Sequence, residues 1–378
     1  MTSAVNSASR AALVPDYILG IAPYQAGKPI EELAREFGLD PAAIVKLASN
    51  ENPLGFPASA QAAMLAAAAT LARYPDANGF DLKAALSARY DVPADWITLG
   101  NGSNDLLEII SLALLHPGAD CVYAQYSFAV YRLATQARGA RHVVVPARDY
   151  GHDLDAMFDA ITPDTRLVFI ANPNNPTGTF VPHADVARFL QRMYDTHGER
   201  VTVVLDEAYT EYLDPALRFD SAAWVRRYPN LIVTRTFSKA YGLAGLRVGY
   251  ALAQPRLTDL LNRVRQPFNV NTLAQAAAIA VLGDAPFLQR AYEVNKAGKQ
   301  ALTDAFARLG LQYVPSYGNF VLVKVGDAAA INMALLKRGV IVRPVTGDGL
   351  PEWLRVSIGL PEENARFIEA LTEILKPA

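Results

Sequence analysis

Between Trp96 and Val264 the chain alternates short apolar runs with helical stretches, and this rhythm restricts the fold more than any other feature. The runs are Trp96–Leu99, Asp120–Tyr123, His142–Val145, Leu167–Ala171, Val201–Leu205, Leu231–Thr234 and Arg247–Ala251. Most are continuously apolar rather than alternating, which is what strands covered on both faces require. Strands that alternate with helices predict an α/β lobe of three layers, αβα, around a mostly parallel sheet. After Asn271 an alanine-rich helical region runs through Leu309, and Phe320–Val325, Val340–Arg343 and Trp353–Ser357 then alternate with helices. That portion predicts a smaller α+β lobe. Residues 50–268 are therefore expected to form the large domain, and residues 1–49 with 269–378 the small domain and an N-terminal arm. Shorter elements flank them: a helix over Ile30–Phe37, and an alanine-dense helix over Ala58–Leu71 that Arg73-Tyr74-Pro75-Asp76 ends.

With 378 residues the chain exceeds what one simple core supports, in keeping with two lobes. A formal net charge of −2 gives no electrostatic means of capturing nucleic acid or an anionic membrane surface, so neither is expected as a partner. The single Cys121 has no internal disulfide partner, and no Cys/His cluster has metal-ligand spacing, so no metal is expected. Met1 to Val14 lacks a basic start followed by an apolar stretch, and no apolar run spans a bilayer. A cytoplasmic, soluble enzyme is the expectation.

Ligands in doubly wound sheets bind beyond the carboxyl ends of the strands. Three of the runs end in chemically loaded sequence. Leu167–Ile170 leads into Ala171-Asn172-Pro173-Asn174-Asn175-Pro176-Thr177-Gly178. Val201–Leu205 leads into Asp206-Glu207-Ala208-Tyr209. Leu231–Thr234 leads into Arg235-Thr236-Phe237-Ser238-Lys239. An amide, a carboxylate, a phenol and an amine thus gather at one rim. Alone, a lysine after a strand is usually a solvated surface residue, and an aspartate there is often a helix cap. Their convergence is what carries the reading.

A lysine amine attacks carbonyls only when part of its population is neutral, and burial lowers its pKa to allow that. The parts suit pyridoxal phosphate. Asp206 would keep the pyridine nitrogen protonated, and Tyr209 with Asn175 would donate to the ring oxygen. Gly100-Asn101-Gly102-Ser103-Asn104 precedes a helix whose N-terminus is an anion site for the phosphate, with Ser238 and Arg247 beside it. Tyr126, just past another strand, is placed to stack on the ring, although ordinary packing would use it equally well. The Gly-rich turn lacks the third glycine of a dinucleotide loop and the lysine of a nucleotide-triphosphate loop.

Taken together these residues resemble the fold type I pyridoxal phosphate enzymes of the aspartate aminotransferase superfamily. The Asn-Pro-Thr-Gly, Asp-Glu-Ala-Tyr and Ser-Lys motifs, the arginine eight residues after the lysine, and a late arginine carry the likeness in that order. Within the superfamily the chain is similar to the histidinol-phosphate aminotransferases, through Asn50-Glu51-Asn52-Pro53, Arg73-Tyr74-Pro75-Asp76, the stretch from Arg235 to Arg247, and Leu354-Arg355-Val356-Ser357-Ile358-Gly359. The likeness runs from about Asn50 to Glu363. It implies amino transfer between histidinol phosphate and 2-oxoglutarate, giving imidazole-acetol phosphate and glutamate in histidine biosynthesis.

Residue by residue, the resemblance makes Lys239 the lysine that binds the cofactor and shuttles the proton. Asp206 becomes the partner of the pyridine nitrogen, and Tyr209 and Asn175 the ligands of the ring oxygen. Gly102, Ser103, Asn104, Ser238 and Arg247 form the phosphate cup; Asn104 departs from the acidic residue expected there. Tyr74 would reach the phosphate held by a neighbouring subunit, which implies a homodimer with shared sites. Arg355 would grip the substrate's anionic end, with Arg343 as a second arginine for a phosphate, and Asn52, Tyr24 and Asn319 would line the substrate pocket. An aromatic or broad amino-acid aminotransferase, or a phosphothreonine decarboxylase-type lyase, would use the same parts.

Overall fold

In the computed structural model, residues 13–23 and 27–376 are described. Tyr24 lies outside the described residues. Seven strands form the central sheet: β2 (Ile97–Gly100), β3 (Asp120–Ala124), β4 (Arg141–Val145), β5 (Thr165–Ala171), β6 (Thr202–Asp206), β7 (Leu231–Thr236) and β8 (Gly249–Leu252). Their order is β2-β8-β7-β6-β5-β3-β4. The neighbours from β7 to β4 run parallel, and β8 runs antiparallel to both β2 and β7.

The continuous hydrophobicity of the central strands has the predicted cause. In β5, Val168 and Ile170 face one layer while Leu167, Phe169 and Ala171 face the other; Val203 and Leu205 oppose Val204 in β6 in the same way. One layer holds α3 (Ala58–Ala67), α4 (Phe80–Tyr90), α7 (Leu154–Asp159), α8 (His183–His197), α9 (Ser221–Arg227) and α11 (Thr272–Leu282). The opposite layer is α5 (Ser103–Leu114), α6 (Ala129–Ala137) and α10 (Pro255–Val264). The short α1 (Asp16–Leu19) leans on α6. The three-layer αβα lobe expected from the strand rhythm is what forms.

The smaller lobe has an antiparallel sheet in the order β12-β13-β10-β9, from β9 (Tyr313–Val314), β10 (Phe320–Lys324), β12 (Arg343–Val345) and β13 (Leu350–Ser357). A parallel pair, β1 (Val45–Lys46) with β11 (Val340–Ile341), joins it to α2 (Ile30–Phe37), whose Leu33 and Ala34 are buried there. Val321 and Val323 face α12 (Ala285–Arg308), α13 (Ala328–Lys337) and α14 (Pro361–Leu375); Leu322 faces the other way, where Tyr126 and Tyr150 of the large lobe pack.

Three local departures have physical reasons. Arg247, expected to begin β8, instead sits at φ 55 before the strand starts at Gly249. The left-handed turn brings its guanidinium back to Ser238 Oγ at 3.0 Å. The helix expected over Ala58–Leu71 ends as α3 at Ala67 and continues as a single 3-10 turn. The alanine-rich region splits at Gly283, where Asp284 caps α12 by accepting from Phe287 N. Because Ala274, Ala277, Ala278 and Val281 of α11 are buried in the core of the large lobe, we place the lobe boundary after Leu282 rather than at residue 268.

Candidate active site

β5, β6 and β7 lie side by side and parallel, so their carboxyl ends reach the same rim. Ala171 and Pro173 at the end of β5, Asp206 at the end of β6, and Thr236, Ser238 and Lys239 at and just past the end of β7 line one cleft. Ser103 and Asn104 enter from the first turn of α5, and Arg343 and Arg355 from the small lobe. Ser49 and Asn50, in the turn after β1, complete the wall between the lobes.

Lys239 Nζ donates to the carbonyl of Ser49 at 2.9 Å. Burial pushes its pKa down to about 7, with the positive charges of Arg355 and Arg247 adding to that and Glu51 opposing it. About half of its population is then neutral near pH 7, which a nucleophilic amine requires. Asp206 moves the other way: burial pushes its carboxyl up to about 6. Hydrogen bonds from Tyr131 Oη to Oδ2 (2.9 Å) and from Thr234 Oγ1 to Oδ1 (3.2 Å) hold it from rising further. The same burial therefore leaves an amine easier to deprotonate and a carboxylate easier to protonate.

An anion cup lies across the cleft. Gly102, at φ 87, turns the chain into α5, and a Cβ there would run into the guanidinium of Arg247. Only glycine lets that arginine lie against the helix N-terminus. With Ser103, Asn104, Ser238 and Arg247 converging on free backbone N–H groups, the cup suits a phosphate.

On the small-lobe side, Arg343 of β12 lies directly opposite Arg355 of β13. Arg355 Nη1 donates to Asn175 Oδ1 at 2.6 Å and Nη2 to the Ala48 carbonyl at 2.7 Å. Asn175 is buried at the wall of the cleft, and its oxygen is taken by Arg355. Asp348, in the loop joining β12 to β13, feels both arginines, yet burial keeps its carboxyl above its ordinary range.

Lys239, Asp206, Tyr209, Asn175, Ser103, Asn104, Ser238, Arg247, Arg343 and Arg355 thus share one cleft, with Gly102 behind Arg247. Four other candidates lie elsewhere. Tyr126, at φ 57, turns its ring toward Tyr150 and the small-lobe core, and Phe128 lines the cleft in its place. Asn52 caps its own turn, donating to the Ala240 carbonyl (2.8 Å) and accepting from Leu54 N (3.0 Å). Asn319 donates to the Asn50 carbonyl at 3.0 Å and so props up the wall instead of forming it. Tyr74 stacks on Phe268 with ring centroids 4.7 Å apart and is 82% exposed, away from the cleft of its own chain.

Asn50 is a wall residue that sequence reasoning passed over in favour of Asn52. It occupies φ 54, donates Nδ2 to Tyr209 Oη at 3.0 Å and is fixed by Ser357 Oγ on both its backbone N–H and its Oδ1. Below the rim, Glu207 accepts from Arg235 Nε (2.8 Å) and Ser221 Oγ (2.7 Å), tying β6, β7 and α9 together.

The residues present fit pyridoxal phosphate: a partly neutral amine for its carbonyl, a buried carboxylate for its ring nitrogen, and a glycine-lined cradle closed by Arg247 for its phosphate.

Comparison with known proteins agrees with this geometry. Residues 42–371 match the family model for aminotransferase class I and II. Histidinol-phosphate aminotransferase 1 of Cupriavidus pinatubonensis is 68% identical over 366 residues, covering 96% of both chains. The crystal structure of histidinol-phosphate aminotransferase from Sinorhizobium meliloti, in complex with pyridoxal-5'-phosphate, superposes with a TM-score of 0.84 at 29% identity, covering 96% of this chain and 97% of that one. L-threonine-O-3-phosphate decarboxylase from Porphyromonas gingivalis superposes with a TM-score of 0.78 at 24% identity, covering 88% of this chain and all of that one (100%), a likeness of fold alone.

Proposed function

The chain belongs to the class I and II aminotransferases, on the histidinol-phosphate aminotransferase branch, and on that premise we propose that its cleft moves an amino group between histidinol phosphate and 2-oxoglutarate with pyridoxal phosphate as cofactor. The observation that carries the reading is the meeting of a partly neutral lysine, a buried aspartate and an anion cup on one wall with two arginines on the other.

When bound, the cofactor supplies an electron sink for the carbon that bears the substrate's amine. The chain's own residues do the rest. Lys239 Nζ, close to half-neutral at pH 7, would hold the cofactor through its carbonyl and would remove and return the proton at the amine-bearing carbon. Asp206 would hold the proton on the ring nitrogen. Tyr209 and Asn175 would donate to the ring oxygen, while Ser103, Ser238, Arg247 and the first turn of α5 would grip the cofactor's phosphate.

Arg343 and Arg355 take the anionic end of the substrate. Two like charges directly across an antiparallel pair repel one another, so an anion between them is stabilised by both. A phosphate, with more charge than a carboxylate, gains most. In the second half of the cycle the same pair would receive the side-chain carboxylate of glutamate.

A second copy of the chain is the other partner we propose. Tyr74 and Phe268 form an exposed stack, and Phe56, Leu65, Leu71 and Phe80 are exposed large apolar residues in the same stretch of chain. Association would cover such a surface and carry Tyr74 to the neighbour's phosphate cup. No helix among the described residues is long and apolar enough to cross a membrane. From its likeness to biosynthetic aminotransferases we propose that the enzyme works in the cytoplasm.

The test is a set of half-reactions on the cofactor-loaded protein with histidinol phosphate, phenylalanine and phosphothreonine, followed by cofactor absorbance. A strong preference for histidinol phosphate with formation of the amino form of the cofactor is expected. A preference for phenylalanine would make it an aromatic aminotransferase, and release of carbon dioxide from phosphothreonine a lyase.

A further inference from the structure

Tyr131 is fully buried on the first turn of α6, outside the set of residues that line the cleft. Its ring lies parallel to that of Phe169, with centroids 4.4 Å apart and planes 3° from coplanar, and meets the edge of Phe128 at 5.9 Å. These contacts fix the ring, and a phenylalanine would make every one of them. The hydroxyl is the difference, and burying it without purpose would cost stability. It donates to Asp206 Oδ2 at 2.9 Å. Burial beside that carboxylate holds the phenol far above its ordinary pKa, so it remains a donor throughout the working pH range.

We propose that Tyr131 is a positioning residue that keeps Asp206 ionised and aimed into the cleft, so that the proton shared with the cofactor stays on the ring nitrogen. This rests on the reading of Asp206 given above. In a buried pair made of a carboxylate and a pyridine nitrogen, the proton goes to whichever is more basic in that setting. A hydrogen bond donated to the ionised carboxylate lowers its basicity and leaves the proton on nitrogen. Without that hydroxyl the proton moves toward Asp206, and the ring loses its electron-withdrawing charge.

The other groups facing Asp206 do not replace it. Thr234 from β7 reaches Oδ1 at the longer distance of 3.2 Å, and the N–H of Ala208 helps from the same turn. Glu207, next in sequence, raises the carboxyl further. The cations that line the cleft, Lys239, Arg247, Arg343 and Arg355, would be shared with the ligands proposed for them.

The experiment compares Tyr131→Phe with the parent, using pyridoxamine phosphate, which forms no bond to Lys239. Dissociation constants are read from protein fluorescence at pH 6 and pH 8.5, and the ratio of variant to parent cancels the ligand's own titrations. Loss of one hydrogen bond to the charged form moves a group titrating near 6 up by about one unit, so the variant should bind about fivefold more weakly at pH 6. At pH 8.5 the two should agree. Thr234→Val, which removes the weaker donor, should repeat the pattern with a smaller ratio and serves if the first variant does not fold. Equal weakening at both pH values would mark Tyr131 as packing only, and no weakening at pH 6 would overturn the proposal as well. A parent protein that fails to bind pyridoxamine phosphate at any pH would instead remove the proposed function itself.

Discussion

Asp206 ends one strand and Lys239 follows its parallel neighbour, whereas Arg343 and Arg355 face one another across an antiparallel pair in the other lobe. The first half of the cleft is a property of chain order: each of the neighbouring parallel strands β5, β6 and β7 delivers the residues at its carboxyl end to the same rim. The second half is a property of register, since one residue of slip in β12 would turn Arg343 to the other face of its sheet. On the proposed reading, cofactor chemistry rests on a buried rim of the large sheet, and substrate choice on a partly exposed hairpin in a separate core.

If the halves are that distinct, removing one should leave the other measurable. The largest effect is expected from Lys239→Ala: amino transfer falls by at least about 10³-fold for every substrate alike, because both proton transfer and cofactor capture depend on that amine. Loss confined to histidinol phosphate would break the division between the halves. In the parent, capture of pyridoxal phosphate by the cofactor-free protein should quicken as pH rises through about 7, because the lowered pKa of Lys239 makes the neutral amine predominate above that point. A rate that falls over this range would contradict the assignment.

Arg343→Ala sharpens the other side. Losing one charge-assisted contact should raise KM for histidinol phosphate by about 10- to 100-fold and alter phenylalanine far less, with cofactor affinity unchanged. Equal losses on both substrates would reduce Arg343 to general support.

The smallest effect is expected from Tyr74→Phe, which would remove the hydroxyl proposed to reach the neighbouring subunit's cofactor phosphate and would keep the stack on Phe268. Cofactor affinity should drop by about three- to tenfold at equilibrium dialysis while KM stays put. An unchanged affinity would mean that Tyr74 serves only the surface it stacks on.

The difference between the halves also explains what was legible in the sequence. Asp206, Lys239, Asn175 and Ser238 stand within a few residues of strand ends whose apolar runs are plain, so placing the strands placed them. Arg247 lies beside Ser238 and Gly102 as the motif suggested although its backbone was expected in β8, because the left-handed turn at φ 55 sets its path. Tyr126 and Phe128 are two residues apart in one turn, and only the backbone angle at Tyr126 decides which ring faces the cleft. Asn50 and Asn52 differ in the same manner. Their partners, Tyr209, Ser357 and the Ala240 carbonyl, are more than a hundred positions away in the chain, and no local pattern carries that information. Tyr131 was invisible because its aromatic ring reads as core, and its hydroxyl acquires meaning only beside Asp206.

The most direct test of a two-sided cleft is a crystal structure of the Lys239→Ala protein grown with pyridoxal phosphate and histidinol phosphate. The cofactor's phosphate should lie on Ser103, Ser238 and Arg247, with its ring nitrogen at Asp206, and the substrate's phosphate between Arg343 and Arg355. A substrate phosphate seated in the α5 cup, or a ring nitrogen turned away from Asp206, would contradict it.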